Sequence, residues 1–305
     1  MKTIMCVFGF LCLVATYLTA GEQPASAPAT ALPAAVSTNP APRSRLAASN
    51  IQTSVLRSEV LGEDRHYTVY LPPGYETSKD RYPVLFLLDG PRHGKYAAGL
   101  AEYLSRYAEA IPPVIVVDIE QPHRGRDMTP TPSKENPNDT GGADRFLSFL
   151  SKEFVPHIQA NYRTRSPLVL WGYSLSGLFA FHALLTQPEL FDGYITASPA
   201  IWWDDSLLVR RAGEFFKTRE ALNRKLYFAV GADERQAVQD YFDQLNRILK
   251  ERTPRGFQYA MRRFEAEAHP TICIPTTYYG LKFVFAESAK EITQAPRHEE
   301  QKEKQ

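Results

Sequence analysis

From residue 51 to residue 289 the chain alternates short apolar runs with longer stretches whose apolar residues recur at three- and four-residue spacing. The runs at 82–90, 113–119 and 168–171 have the length of strands, and their continuity predicts burial on both faces, while 191–198, 225–231 and 257–264 read as further strands of the same sheet. Residues 96–108 place Ala97, Leu100, Ala101, Leu104 and Tyr107 on one helical stripe, and 143–160 do the same with Phe146, Phe149, Leu150, Phe154 and Ile158. Residues 178–185 are almost wholly apolar, too long for another strand, and predict a buried helix. Further helices are expected at 234–250 and 272–289. Residues 51–61 and 66–71 read as an opening antiparallel pair, ended by Pro72, Pro73 and Gly74. The polar stretch 120–142 is longer than ordinary connections. This order predicts an α/β fold with a mostly parallel sheet flanked by helices on both faces. In open sheets of that kind ligands bind beyond the carboxyl ends of the strands.

The most informative junction is the one from the 168–171 strand to the 178–185 helix. It reads Gly172, Tyr173, Ser174, Leu175, Ser176, Gly177. A serine on a tight strand-to-helix turn, with small residues around it, is the context of a nucleophile elbow. Centred on Ser174, the glycine two places before is present, and position +2 holds Ser176 in place of glycine. Centred on Ser176, the flanking positions are Ser174 and Leu178, and neither fits. Ser174 is therefore the candidate nucleophile. The same hexapeptide is also compatible with an ordinary turn, so the rest of the chain must decide.

Composition narrows the function classes. The 305 residues are 44% hydrophobic and 23% charged, enough for one large α/β domain, and the net charge of +1 gives no field directed at nucleic acid or anionic membranes. Residues 1–20 carry Lys2, an apolar run and a small-residue end at Ala20, the pattern of a secretory signal. Residues 21–49 are rich in Pro, Ala, Ser and Thr and are expected to be a disordered linker. Residues 50–289 form the expected catalytic domain, and 290–305 a charged, solvated tail. Cleavage of the signal implies an exported chain, periplasmic or secreted, with no stable membrane insertion. It also removes Cys6 and Cys12, leaving Cys273 alone in an apolar context that favours a core role over a nucleophilic one. No cluster of His, Cys, Asp and Glu has metal-ligand spacing, and no glycine-rich phosphate loop follows a strand.

A serine hydroxyl needs a base, and the base an orienting acceptor. In α/β folds with an elbow the chain order is serine, acid, histidine. Of the histidines, only His269 and His298 come late enough, and His298 lies in the charged tail. His269 follows the last strand and is the candidate base. The acid belongs after the preceding strand, where Glu234 is favoured and Asp233 stands beside it; a Ser–His pair without an acid also remains open. The oxyanion hole calls for two backbone N–H groups, one from Leu175 and one from Gly90 or Arg92, since Pro91 has none. Trp202 and Trp203 follow one strand end, and Arg124 and Arg126 another. As substrate-binding residues they suit an aromatic or anionic acyl group such as a catecholate. Packing and loop ion pairs are the plainer reading of the same four.

Residues 87–90, 126–130, 141–150, 172–179 and 198–203, with His269, together resemble the esterase D-type esterase family of the α/β-hydrolase superfamily, in the branch that includes ferric-siderophore esterases. The resemblance spans about residues 51–286. It implies an α/β-hydrolase fold and hydrolysis of a small-molecule ester, with no metal or organic cofactor. The family usually has glycine where Ser176 stands, and its substrates are too varied for one to carry over. Acyl transfer and a non-catalytic binding role are the alternative functions.

Overall fold

The computed structural model describes residues 50–294, with side chains as far as Ala286. The expected signal at 1–20, the linker at 21–49 and the end of the tail, 295–305, lie outside the described residues. Eight strands form one sheet in the order β1-β2-β4-β3-β5-β6-β7-β8. They are β1 (Ile51–Ser58), β2 (Glu63–Tyr70), β3 (Tyr82–Leu88), β4 (Ile115–Ile119), β5 (Thr164–Tyr173), β6 (Gly193–Ala197), β7 (Lys225–Gly231) and β8 (Gln258–Phe264). The opening pair is antiparallel, β2 joins β4 antiparallel, and every pair from β4 onward is parallel. The α/β class read from the alternation is the observed one.

Every residue of β3 is buried, and alternate side chains feed two cores. Val84, Phe86 and Leu88 pack with α3 (Ala143–Phe149), α4 (Val155–Asn161), α5 (Leu175–Thr186), α6 (Trp203–Thr218) and α7 (Gln236–Glu251). Leu85 and Leu87 pack with α1 (Gly90–Glu102) and α8 (Cys273–Gln294). A short helix, α2 (Arg124–Met128), breaks the polar stretch after β4. Five-residue π-helical turns follow α1 and join α3 to α4.

Besides α2, which falls in a stretch read as a connection, three elements differ most from the sequence reading. α1 begins at Gly90, six residues before the expected start, because Pro91 occupies the first turn, where its missing N–H costs nothing. α6 was not anticipated: Asp204, Asp205 and Ser206 all have positive φ (48°, 52° and 56°), which interrupts the helical pattern where it starts. α8 continues through Gln294, past the expected limit at residue 289.

The parallel register brings the strand ends level. Leu87 pairs with Trp171, Trp171 with Ile195, Ile195 with Tyr227, and Tyr227 with Ala260. Chain leaving the carboxyl ends of β3 through β8 therefore emerges along one edge. Among the described residues no helix is long and apolar enough to cross a membrane.

Candidate active site

Ser174 stands between β5 and α5 with φ 58° and ψ −116°, a conformation rare outside glycine. The turn is held by Ser174 N–H donating to the Ala197 carbonyl at 3.0 Å and by Ala200 N–H donating to the Ser174 carbonyl at 3.0 Å. Gly172 is obligatory, since a Cβ there would lie 2.1 Å from the Ser176 carbonyl oxygen. Position +2 tolerates serine: Ser176 is fully buried, and its hydroxyl is hydrogen-bonded back into the turn.

His269 comes from the loop after β8. Its Nε2 is 3.2 Å from Ser174 Oγ, and its Nδ1 is 3.0 Å from Glu234 Oε2. Tyr173 steadies the loop: its hydroxyl donates to the His269 carbonyl at 2.8 Å, and its ring lies against the imidazole with centroids 4.8 Å apart. Gly231 ends β7 where the loop passes closest, and a Cβ there would meet the Glu267 carbonyl oxygen at 2.1 Å.

Glu234 follows β7. Its Oε1 accepts the Gly231 N–H at 2.9 Å and the Ser198 hydroxyl, and its side chain is 4% exposed. Burial pushes its carboxyl up, but hydrogen bonds from His269, Ser198 and Gly231 outweigh burial and hold it below the ordinary carboxylate value. Asp233, the other acidic candidate, is exposed and bonds through its backbone N–H to the Glu267 carbonyl. The geometry brings Glu234, and not Asp233, to His269.

Leu175 and Gly90 are each the first residue of a helix, α5 and α1, where N–H groups have no intrahelical partner. Arg92 N–H, the alternative to Gly90, donates to the Asp89 carbonyl. The space beside Gly90 that a Cβ would fill is taken by Asp118, 2.6 Å away.

Two clefts open here, sharing Trp202. One, of about 410 Å³, is lined by Ser174, Ser198, Trp202, Glu234, Arg235 and His269. The other, of about 710 Å³, is lined by His123, Arg124, Arg126, Leu175, Trp202 and Trp203, among others. Trp202 is 40% exposed, and the Arg235 guanidinium lies 5.5 Å from its ring centroid. Trp203 Nε1 donates to Thr131 Oγ1 at 3.1 Å. The two arginines line the cleft with their charges already met by protein carboxylates. Arg124 grips Asp89 through two bonds, of 2.7 and 2.9 Å. Arg126 binds Glu63 at 2.6 Å and Asp127 at 2.8 Å. That leaves the indoles, not a free positive charge, as the prominent chemistry of this wall. Cys273 is buried in α8, where burial pushes its thiol up to about 12, so it is no thiolate nucleophile at neutral pH.

Sequence reasoning missed Ser198, Tyr173 and Asp89 as site residues. The stretch at 198–203 drew notice for its tryptophans, while its first residue supplies the hydroxyl that binds Glu234. Asp89 stood in plain view beside Gly90, but only the fold brings it to Ser176.

A largely parallel sheet with helices on both faces and a serine elbow at its carboxyl edge defines the α/β-hydrolase architecture. Residues 58–268 match the model of the family described as "Putative esterase", and the chain belongs to that family. It is related to ferric-siderophore esterases. It is 32% identical over 156 residues to the siderophore triacetylfusarinine C esterase of Aspergillus fumigatus, covering 48% of this chain and 53% of that one. The chain thus spans about half the length of that relative. With ferri-bacillibactin esterase BesA of Bacillus subtilis it shares 25% identity over 256 residues, 76% of this chain and 89% of the other. The crystal structure of an IroE-like serine hydrolase from Shewanella oneidensis superposes with a TM-score of 0.71 at 30% identity, covering 77% of this chain and 80% of that one.

Proposed function

We propose that the protein is a serine carboxylic-ester hydrolase working through an acyl-enzyme. The observation that carries this reading is the unbroken line from Glu234 through His269 to Ser174, with steps of 3.0 and 3.2 Å. His269 Nε2 takes the Ser174 proton as Oγ attacks the ester carbonyl. Glu234, ionised and bound to Nδ1, fixes the tautomer and steadies the imidazolium. The N–H groups of Leu175 and Gly90 receive the oxyanion. His269 then protonates the departing alkoxide, and a water activated by the same nitrogen releases the acid and restores Ser174.

The direction of proton transfer assigns the clefts. The alcohol must leave on the side of His269, which is the smaller cleft. The acyl group then lies along Leu175 in the larger one, against Trp202 and Trp203. Indole walls beside already neutralised arginines favour a flat aromatic acyl group carrying hydroxyls. That chemistry, and the kinship with siderophore esterases, make an aromatic ester or siderophore lactone the substrate class. Transfer of the acyl group to an alcohol instead of water would use the same intermediate. The signal-like pattern at residues 1–20 supports export to the periplasm or beyond.

A fluorophosphonate probe is expected to label wild type at Ser174 and to leave Ser174→Ala unlabelled. Catecholate-lactone and feruloyl esters are expected to turn over faster than p-nitrophenyl acetate. Label at another residue, or hydrolysis that survives Ser174→Ala, would overturn the assignment.

A further inference from the structure

The two oxyanion donors belong to different segments of chain. Leu175 lies on the β5–α5 turn and Gly90 on the β3–α1 turn. Their separation must be held to a fraction of an ångström for both to reach one oxygen. The G-x-S-x-G elbow pattern has glycine at position +2, with no side chain to offer; here that position is Ser176.

Ser176 is fully buried, and Asp89 is 7% exposed. Ser176 Oγ lies 2.7 Å from Asp89 Oδ2 and 2.8 Å from the Tyr173 carbonyl, and it accepts the Tyr173 N–H at 2.8 Å. A hydroxyl has one proton to give. Arg124 Nη2 already donates to the Tyr173 carbonyl at 2.9 Å, so the proton belongs to the Asp89 carboxylate, where the bond is charge-assisted. Arg124 also closes on both oxygens of Asp89. The result is a ring of contacts, Asp89 to Ser176 to Tyr173 to Arg124 and back to Asp89.

A second observation shows that Asp89 is turned toward this ring at some cost. It sits at the N-cap of α1, where an aspartate ordinarily accepts a bond from the helix's own first turn, yet its side chain makes no cap bond. Its φ is 59°, in the left-handed region. Asp89 directly precedes Gly90, and Ser176 directly follows Leu175. The hydrogen bond between them therefore ties the two donor segments together at the point where donor spacing is set.

We propose that Ser176, Asp89 and Arg124 form a positioning network that fixes the Leu175 and Gly90 N–H groups in one oxyanion site. This rests on the esterase reading above.

The test separates transition-state binding from ground-state binding. A trifluoromethyl ketone adds to Ser174 and places an oxyanion in the site; the matching trifluoromethyl carbinol cannot. In Ser176→Ala, kcat is expected to fall about tenfold or more with KM nearly unchanged. The ketone Ki should rise by the same factor, and the carbinol Ki should not move. Asp89→Asn keeps an acceptor oxygen but weakens the Arg124 fork, so it should show the same split to a smaller degree. It also carries the test should Ser176→Ala fail to fold. The double variant should lose no more than Ser176→Ala alone, because one network is broken only once. A folded Ser176→Ala enzyme with kcat and ketone Ki within about twofold of wild type overturns the proposal. So does an equal rise in both inhibition constants, which would mark a general disturbance of the cleft. A wild type that binds neither the ketone nor a fluorophosphonate at Ser174 overturns the esterase reading, and this proposal with it.

Discussion

At the scale of single residues, the site depends on hydrogen bonds that keep Glu234 ionised. Its folded carboxyl is held below the ordinary value of 4.5, so the unfolded chain binds that proton more readily. The stability contributed is complete above the unfolded value and is lost as pH falls through the folded one. Below about pH 5, therefore, the melting temperature of wild type should drop more steeply than that of Glu234→Gln, which has no such proton to gain. At neutral pH the same variant should be less stable by about 1 kcal/mol, measured by denaturant unfolding, since the Ser198, Gly231 and His269 donors then face a neutral acceptor. Ser174→Ala and His269→Ala should each lower kcat by about 10⁴-fold or more, and the double variant scarcely further, because the pair acts as a unit. Steady-state rates on one ester check this; losses that multiply would separate the two residues. The meeting of Ser174 with His269 was legible because an elbow has a local signature and the order of the chain leaves few histidines. Ser198 was not, because its hydroxyl meets Glu234 only after β6 and β7 are laid side by side, and no spacing along the sequence records that.

At the scale of elements, the junction of β3, β4 and α1 shows how a buried carboxylate shapes a helix. Asp118 on β4 accepts the Tyr70 hydroxyl at 3.0 Å and the Thr68 N–H at 3.2 Å. Burial nevertheless keeps its carboxyl above the ordinary value, these bonds only partly opposing it. α1 passes directly over it, and a Cβ on Gly94 would come within 2.0 Å of Asp118 Oδ2. Gly94→Ala should therefore destabilise by about 1–3 kcal/mol in urea unfolding, against the slight gain that alanine brings to an open helix position. An unchanged midpoint would show that α1 can shift outward. The start of α1 was hidden in the sequence for the same reason: Gly90 and Gly94 are small where an apolar stripe is sought, because the Asp118 carboxylate lies beneath them, and the polar His93 packs against the Trp171 and Tyr173 rings. α6 was hidden by Asp204, Asp205 and Ser206, which look like loop and adopt left-handed backbone before the buried face of Leu208, Val209, Ala212 and Phe216 begins. The central strands β3, β4 and β6 were easy by comparison, since burial on both faces writes them as nearly unbroken apolar runs, whereas β8 at the sheet edge has no fully buried residue and keeps Gln258, Arg262 and Arg263.

At the scale of the whole molecule, the parallel register gathers six strand ends along the edge that carries the candidate site. β3 leads to Gly90, the proposed oxyanion donor, β4 to Arg124, β5 to Ser174, β6 to Ser198, β7 to Glu234 and β8 to His269. Asp89 to His269 thus bracket the entire candidate site. The strand farthest from it, β1, is anchored through a continuous antiparallel ladder from Ile51 opposite Tyr70 to Ser58 opposite Glu63. Everything from the opening ladder to the His269 loop falls in one compact unit, from Leu46 onward. The ladder, the two cores and the site are all found among the described residues, from Asn50 onward. A chain starting at Leu46 should accordingly keep its melting temperature within about 2 °C of a chain starting at Gly21. Its kcat/KM on a small ester should also match within about twofold. A markedly lower melting temperature would assign residues 21–45 a part in the fold. An unchanged melting temperature with a raised KM for a large lactone, but not for p-nitrophenyl acetate, would assign them a part in admitting substrate to the clefts beside Trp202.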